Sequence, residues 1–252
     1  MNIEARYLIV EEIFHRMKDG KTGAWLCQAE DKKKYVVKTI EEIPPFELIA
    51  EWIAGNLAIA FGLSSPQVRI MWGMQNMLGM LGEFVSNPDI ETSFGSTLQP
   101  DTIELSYVES TKLPAPLKTD LLVFDYWIQN GDRTLSAAGG NVNLLKDIAN
   151  SCIVVFDHNQ AFKSDFDDGR FFSAHVFTGE NKGAPIDLVS IMQYKECLDR
   201  CMDLFPAIVN AMPEEWRTAA NAQHDGGDVI DDIIYPILNR YKSDDFWGRI
   251  KP

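Results

Sequence analysis

The hydrophobic period of this chain changes near Ser86, and that change limits the possible folds more than any other feature. Before it, Tyr7 to Phe14, Gly23 to Ala29 and Tyr35 to Thr39 are rich in β-branched and aromatic residues, separated by the turn signals KDGKTG and EDKKK. This predicts a three-stranded antiparallel meander. Pro44 and Pro45 then open a helix over Phe46 to Phe61, where Phe46, Ala50, Ile53, Leu57 and Phe61 recur at three- and four-residue steps, and Gly62 ends it. Two further strands are expected at Gln67 to Trp72 and Met77 to Phe84. From Ser86 to Pro116 the chain reads as a linker, with Pro88, Gly95 and Pro100. Helical spacing resumes at Leu117, Leu121, Phe124 and Ile128, at Leu188, Ile191, Cys197, Leu198 and Cys201, and over Val229 to Tyr241. The expectation is an α+β protein of two lobes: a β-rich one with a single helix over residues 1–85, and a mainly helical one over residues 86–252.

Composition narrows the function. Apolar residues make up 46% and charged residues 24% of the chain, the profile of a soluble globular protein. A net charge of −14 repels an extended phosphate backbone, and the densest basic run, Lys32 to Lys34, falls on an expected turn. No nucleic-acid partner is expected. Cys27, Cys152, Cys197 and Cys201 stand in apolar surroundings, and His15, His158, His175 and His224 give them no zinc-ligand spacing. Reduced thiols in a cytoplasmic protein are therefore expected. Acids occupy the positions where a signal peptide carries bases, and no apolar stretch reaches the ~20 residues that span a bilayer. No membrane partner is expected either.

The chemistry concentrates in QNGDRTLSAAGGNVNLL, residues 129–145. Two apolar runs follow, Asn143 to Lys146 and Cys152 to Phe156, joined by DIANS; they predict a hairpin that returns Asp157 to the neighbourhood of Asn141 and Asp132. Two carboxylates and an amide at one end of a hairpin suit Mg²⁺, a hard cation that takes a few carboxylates together with phosphate oxygens. Asp132 and Asn141 serve equally well as turn residues when taken alone. Lys38, in YVVKT, could likewise be a surface lysine with a packed stem. The next helix, however, carries Glu47 and Glu51 one turn apart. A strand lysine, a helix acid, a loop running from aspartate to asparagine and a strand ending in aspartate are, in that order, the parts of a phosphoryl-transfer site.

On these residues the chain resembles the HipA-like kinases, bacterial relatives of the protein and phosphatidylinositol kinases, and in particular their compact members. The resemblance is carried by KTGAWLCQAEDKKKYVVKT, EWIAGNLAIAFGLSSP, NGDR with GGNVNLL, and VVFDHNQAF, over roughly residues 16 to 165. It implies a protein-kinase-like fold and transfer of the γ-phosphoryl group of ATP, with Mg²⁺, to a hydroxyl of a protein Ser or Thr. Carried over by position, Lys38 holds the ATP phosphates with Glu51 as its helix partner, Asp132 is the catalytic aspartate, and Asn141 and Asp157 are metal ligands. Asn143 is the alternative to Asn141; otherwise it would bond loop backbone, because side chains two apart on a strand lie ~6.5 Å from one another. Gly20, Thr22 and Gly23 would fold over the phosphates. Leu81 to Val85, with Glu83, Phe84 and Val85, would be an interlobe hinge at the adenine.

The chain also departs from the family. Asp132 and Asn141 lie nine positions apart, where the family has about five, and the extra residues are expected to bulge outward. Larger, toxin-type members carry an N-terminal subdomain that contacts an antitoxin, for which this length leaves no room. A protein substrate and a regulatory or antitoxin-like partner remain implied. A non-catalytic nucleotide-binding module and a small-molecule kinase stay open as alternatives.

Overall fold

The computed structural model describes residues 7–17, 23–87 and 90–250. Five strands close into a barrel: β1 (Tyr7–Arg16), β2 (Trp25–Ala29), β3 (Lys34–Lys38), β4 (Val68–Trp72) and β5 (Thr92–Thr97), in the order β1-β2-β3-β5-β4. The meander pairs antiparallel as its alternation requires, with Trp25 opposite Val37 and Val10 opposite Ala29. Tyr7 to Ile9 pair in parallel with Ile70 to Trp72 to close the ring.

Helix α1 (Pro45–Phe61) begins at the expected prolines and ends at Gly62, whose φ of 103° is the left-handed conformation a helix C-terminus favours. A single apolar stripe was the sequence expectation, yet Leu48 to Ala58 are all buried. The reason is that α1 lies between the barrel on one side and α6 (Leu188–Asn210) and α7 (Glu214–Gln223) on the other. A Cβ on Gly55 would meet Val68 of β4 at 2.8 Å, and the Trp52 indole N–H donates to the Ile208 carbonyl at 2.9 Å.

Two expectations fail between Gly73 and Thr97. Residues expected as a strand over Met77 to Phe84 form α2 (Met74–Met80), followed by a loop. Met74 and Leu78 fall four apart, so a helix turns both into the barrel interior beside Cys27, Val37 and Met71. The barrel instead takes its last strand from the stretch expected as linker: β5 pairs with β3 and β4. Strand β6 (Thr102–Glu104) then pairs with β9 (Leu144–Asp147), which pairs with β10 (Cys152–Val155). The backbone therefore crosses from the barrel to the second sheet through Leu98–Asp101, not through Leu81–Val85.

Beyond the crossing come α3 (Tyr107–Thr111) and α4 (Ala115–Trp127), the short pair β7 (Thr134–Ser136) and β8 (Gly139–Asn141), α5 (Asp168–Ala174), and, after α7, α8 (Tyr235–Asn239) and α9 (Asp244–Ile250). Their apolar faces join α1 in one large core around Trp127, Phe124, Phe162 and Trp216. All four cysteines are free thiols. Among the described residues no helix is long and apolar enough to cross a membrane.

Candidate active site

Three segments distant in sequence meet at Lys38. It ends β3 opposite Phe94 of β5, and its ammonium lies 2.5 Å from Glu51 Oε1 of α1 and 2.7 Å from Asp157 Oδ1, two residues beyond β10. The other oxygen of Glu51 accepts the His158 backbone N–H at 2.9 Å. One turn earlier, Glu47 accepts from Asn159 Nδ2 at 2.7 Å and from Lys163 Nζ at 2.8 Å. Helix α1 thus grips the segment that begins with Asp157. A lysine so deeply buried is no surface residue; only its paired carboxylates let it stay charged there.

The electrostatics follow from burial and pairing. Burial alone would lower the Lys38 pKa, but the Glu51 and Asp157 carboxylates outweigh it and hold the ammonium above its ordinary value. Burial pushes Glu51 up to about 7, against the pull of Lys38. For Asp157 burial acts upward as well, yet Lys38 wins and its carboxyl stays below the ordinary range. Burial drives His158 down to about 3, so its ring is neutral, edge-on to Phe124 at 5.9 Å.

A second group forms around Asp132. Its Oδ2 accepts the side-chain amide N–H groups of both Asn141, in a short contact, and Asn143, at 3.1 Å. This corrects the expectation that Asn143 bonds loop backbone and stands apart from Asn141. Asn143 has a φ of 47°, which turns the chain between β8 and β9 and brings the two amides onto one oxygen. The Asn143 carbonyl in turn accepts the Phe156 N–H at 3.3 Å, next to Asp157. The hairpin therefore connects the two groups as its sequence implied. Asp157 also sits at positive φ, 59°, a backbone strain of the kind that gathers at functional sites.

Beneath the loop lies a cluster that the sequence reading did not single out. Arg133 Nε lies 2.7 Å from Asp125 Oδ2, and His175 Nε2 lies 2.9 Å from the same oxygen. Arg133 also donates to the carbonyls of Val142 at 3.1 Å and Asn143 at 2.6 Å. Burial opposes ionisation of Asp125, but Arg133 and His175 bring it down to about 2; burial keeps the His175 pKa low. The signal was present as an acid inside the apolar run LLVFDYWI of α4.

Other expected residues lie elsewhere. Gly20 and Thr22 fall outside the described residues. Gly23 takes a φ of 65°, and its carbonyl accepts from Arg16 Nε at 2.8 Å. Glu83, Phe84 and Val85 lie in the loop after α2, where Phe84 is 79% exposed and Val85 packs against the barrel interior.

The donor set fits Mg²⁺ only in part. Among the described residues no group of three His, Cys, Asp or Glu side chains could hold a metal alone. Asp157 and the amide oxygens of Asn141 and Asn143, whose N–H groups are committed to Asp132, supply too few ligands without phosphate oxygens.

Comparison with known proteins bears on the fold and the family. The Helicobacter pylori proinflammatory kinase CtkA superposes with a TM-score of 0.50 at 13% identity, covering 95% of each chain. The Golgi casein kinase gives 0.46 at 13% identity, over 98% of this chain and 72% of the other. A search of curated proteins found no match. The first superposition shows a kinase-like fold. A family model described as HipA-like kinase matches residues 10–250, so the chain belongs to the HipA-like kinase family.

Proposed function

We propose that this phosphotransferase uses ATP with Mg²⁺ and transfers the γ-phosphoryl group to a Ser or Thr hydroxyl of a protein. The observation that carries the reading is the convergence of Lys38, Glu51 and Asp157, with Asp132 joined to Asp157 through the hairpin. Lys38 binds the phosphates and Glu51 holds it in place. Asp157 and Asn141 would hold Mg²⁺, with Asn143 as the alternative amide, and the metal would offset the charge of the phosphates. Asp132 orients the acceptor hydroxyl and takes its proton as the new O–P bond forms. The bond between the γ-phosphorus and the bridging oxygen breaks, and ADP leaves with that electron pair. Gly23 would lie over the phosphates, and the adenine would lie against the crossing at Leu98–Asp101. The chain works in the cytoplasm, and a regulatory, antitoxin-like protein controls it.

The test is incubation of the pure protein with γ-labelled ATP, MgCl₂ and a cell lysate, with labelled residues located by mass spectrometry. Label on Ser or Thr that disappears with Asp132→Asn supports the reading. Tight ATP binding with no label on any acceptor would favour a non-catalytic nucleotide-binding module.

A further inference from the structure

The residues that lengthen the loop between Asp132 and Asn141 are exposed from Ser136 to Gly140, and they are paired. They form the β7–β8 hairpin, with Thr134 paired to Asn141 and Ser136 to Gly139. Its base is fixed to Asp132 twice: the Thr134 N–H donates to the Asp132 backbone carbonyl at 2.8 Å, and the Asn141 amide donates to the carboxylate Oδ2. Its packing is tight, because a Cβ on Gly140 would collide with the Thr134 carbonyl. On the other edge Thr134 bridges to His175, which the buried Asp125 holds.

Between this hairpin and residues 172–181 lies a cavity of about 580 Å³, within the usual range for a ligand site. Hydroxyls of Tyr107, Thr134 and Thr178 and the apolar Leu135 and Phe172 line it; Glu180 is its single charged wall, and no Lys or Arg lines it. Building on the kinase reading, we propose that the hairpin selects the acceptor. The cavity receives a polypeptide segment whose residues flanking the target hydroxyl are uncharged or basic. An anionic small molecule would find no counter-charge here, on a chain of net charge −14. The transfer is that already described, with the acceptor oxygen bonding to the γ-phosphorus and ADP leaving.

A randomised Ser/Thr peptide library presented to the wild type, Glu180→Lys and Leu135→Asp with Mg·ATP tests this, alongside ATP affinity by calorimetry. The wild type should prefer neutral or basic flanks. Glu180→Lys should cost basic peptides roughly tenfold in kcat/KM and favour acidic ones, Leu135→Asp should raise the acceptor KM, and the ATP affinity of both should stay within about twofold. Unchanged flank preference in both variants overturns the proposal. So does a wild type that hydrolyses ATP yet labels no peptide, or that labels only anionic small molecules. A wild type that neither binds nor hydrolyses ATP refutes the kinase reading instead.

Discussion

Two buried ionic trios flank the Asp132 loop, and they differ in exposure and charge balance. Asp125, Arg133 and His175 are sealed: the Asp125 and Arg133 side chains have no exposure, and one carboxylate faces one guanidinium beside a neutral imidazole. Lys38, Glu51 and Asp157 are open on one side, where the Asp157 side chain keeps 24% of its surface, and two carboxylates share one ammonium. The sealed trio is electrically complete and spends its remaining donors on the Val142 and Asn143 carbonyls. The open trio has one carboxylate in excess beside solvent, which is a reason for a further cation to enter with phosphates. A balanced buried trio is scaffold, whereas an unbalanced one at an opening is a site.

Breaking the sealed trio should have the largest effect on stability. Arg133→Met leaves Asp125 with His175 and Asn130 but without its counter-charge, at a cost of about 3–5 kcal/mol, or a fall in melting temperature on the order of 10 °C for a chain of this size. Differential scanning calorimetry reads this directly; a fall of only a degree or two would mean the trio is not scaffold. Phosphotransfer should be lost as well, because Arg133 holds the backbone on which Asn143 sits.

In the open trio the expected loss is functional. Lys38→Met should weaken ATP binding about tenfold or more, the worth of a charge-assisted contact of ~1.5 kcal/mol or above. It should lower the melting point far less than Arg133→Met, since Glu51 can take up a proton and Asp157 can hydrate. Equal melting-point losses in the two variants would erase the distinction between site and scaffold.

The two aspartates sharpen the comparison. Asp132→Asn should abolish transfer while Mg·ATP still binds, whereas Asp157→Asn should weaken the Mg²⁺-dependent part of nucleotide binding. In a magnesium titration Asn141→Ala should need more metal than Asn143→Gly, which keeps the positive φ and removes only the amide. The reverse order would assign the metal to Asn143.

The smallest effect is a pH slope. The folded-state pKa of Glu51 is raised, so the folded chain binds more protons than the unfolded chain between about 4.5 and about 7, and its contribution to stability falls as pH rises through that window. Asp125 is depressed to about 2, so its contribution is constant there and is lost only as pH falls further. Buried His158 and His175, whose folded pKa values are lowered, give the opposite slope up to about 6.5, so the Glu51 contribution is read as a difference: in nucleotide-free protein the stability of the wild type relative to Glu51→Gln should fall from pH 5 to pH 7.5. A difference that stays constant over that range would place the titrating group elsewhere.

The sequence by itself determined what local chemistry can determine. Pro44, Pro45 and Gly62 set the ends of α1 because proline preorganises a helix start and glycine takes the left-handed turn at its end. Alternation set the meander, and two apolar runs around DIANS returned Asp157 towards Asn141. Each of these signals acts within a few residues. It did not set the fate of Met74–Met80, where one apolar run suits a strand or a helix until the barrel interior receives Met74 and Leu78. Nor did it set β5, whose Ser and Gly have little strand character of their own and which is held by β3 and β4. The meeting of Lys38 with Asp157, 119 positions away, and the turn at Asn143 that brings two amides to Asp132 were likewise decided by tertiary structure. A buried charge finds its partner only once the surrounding core has removed water from both, and no period or cap in the local sequence records which partner that will be.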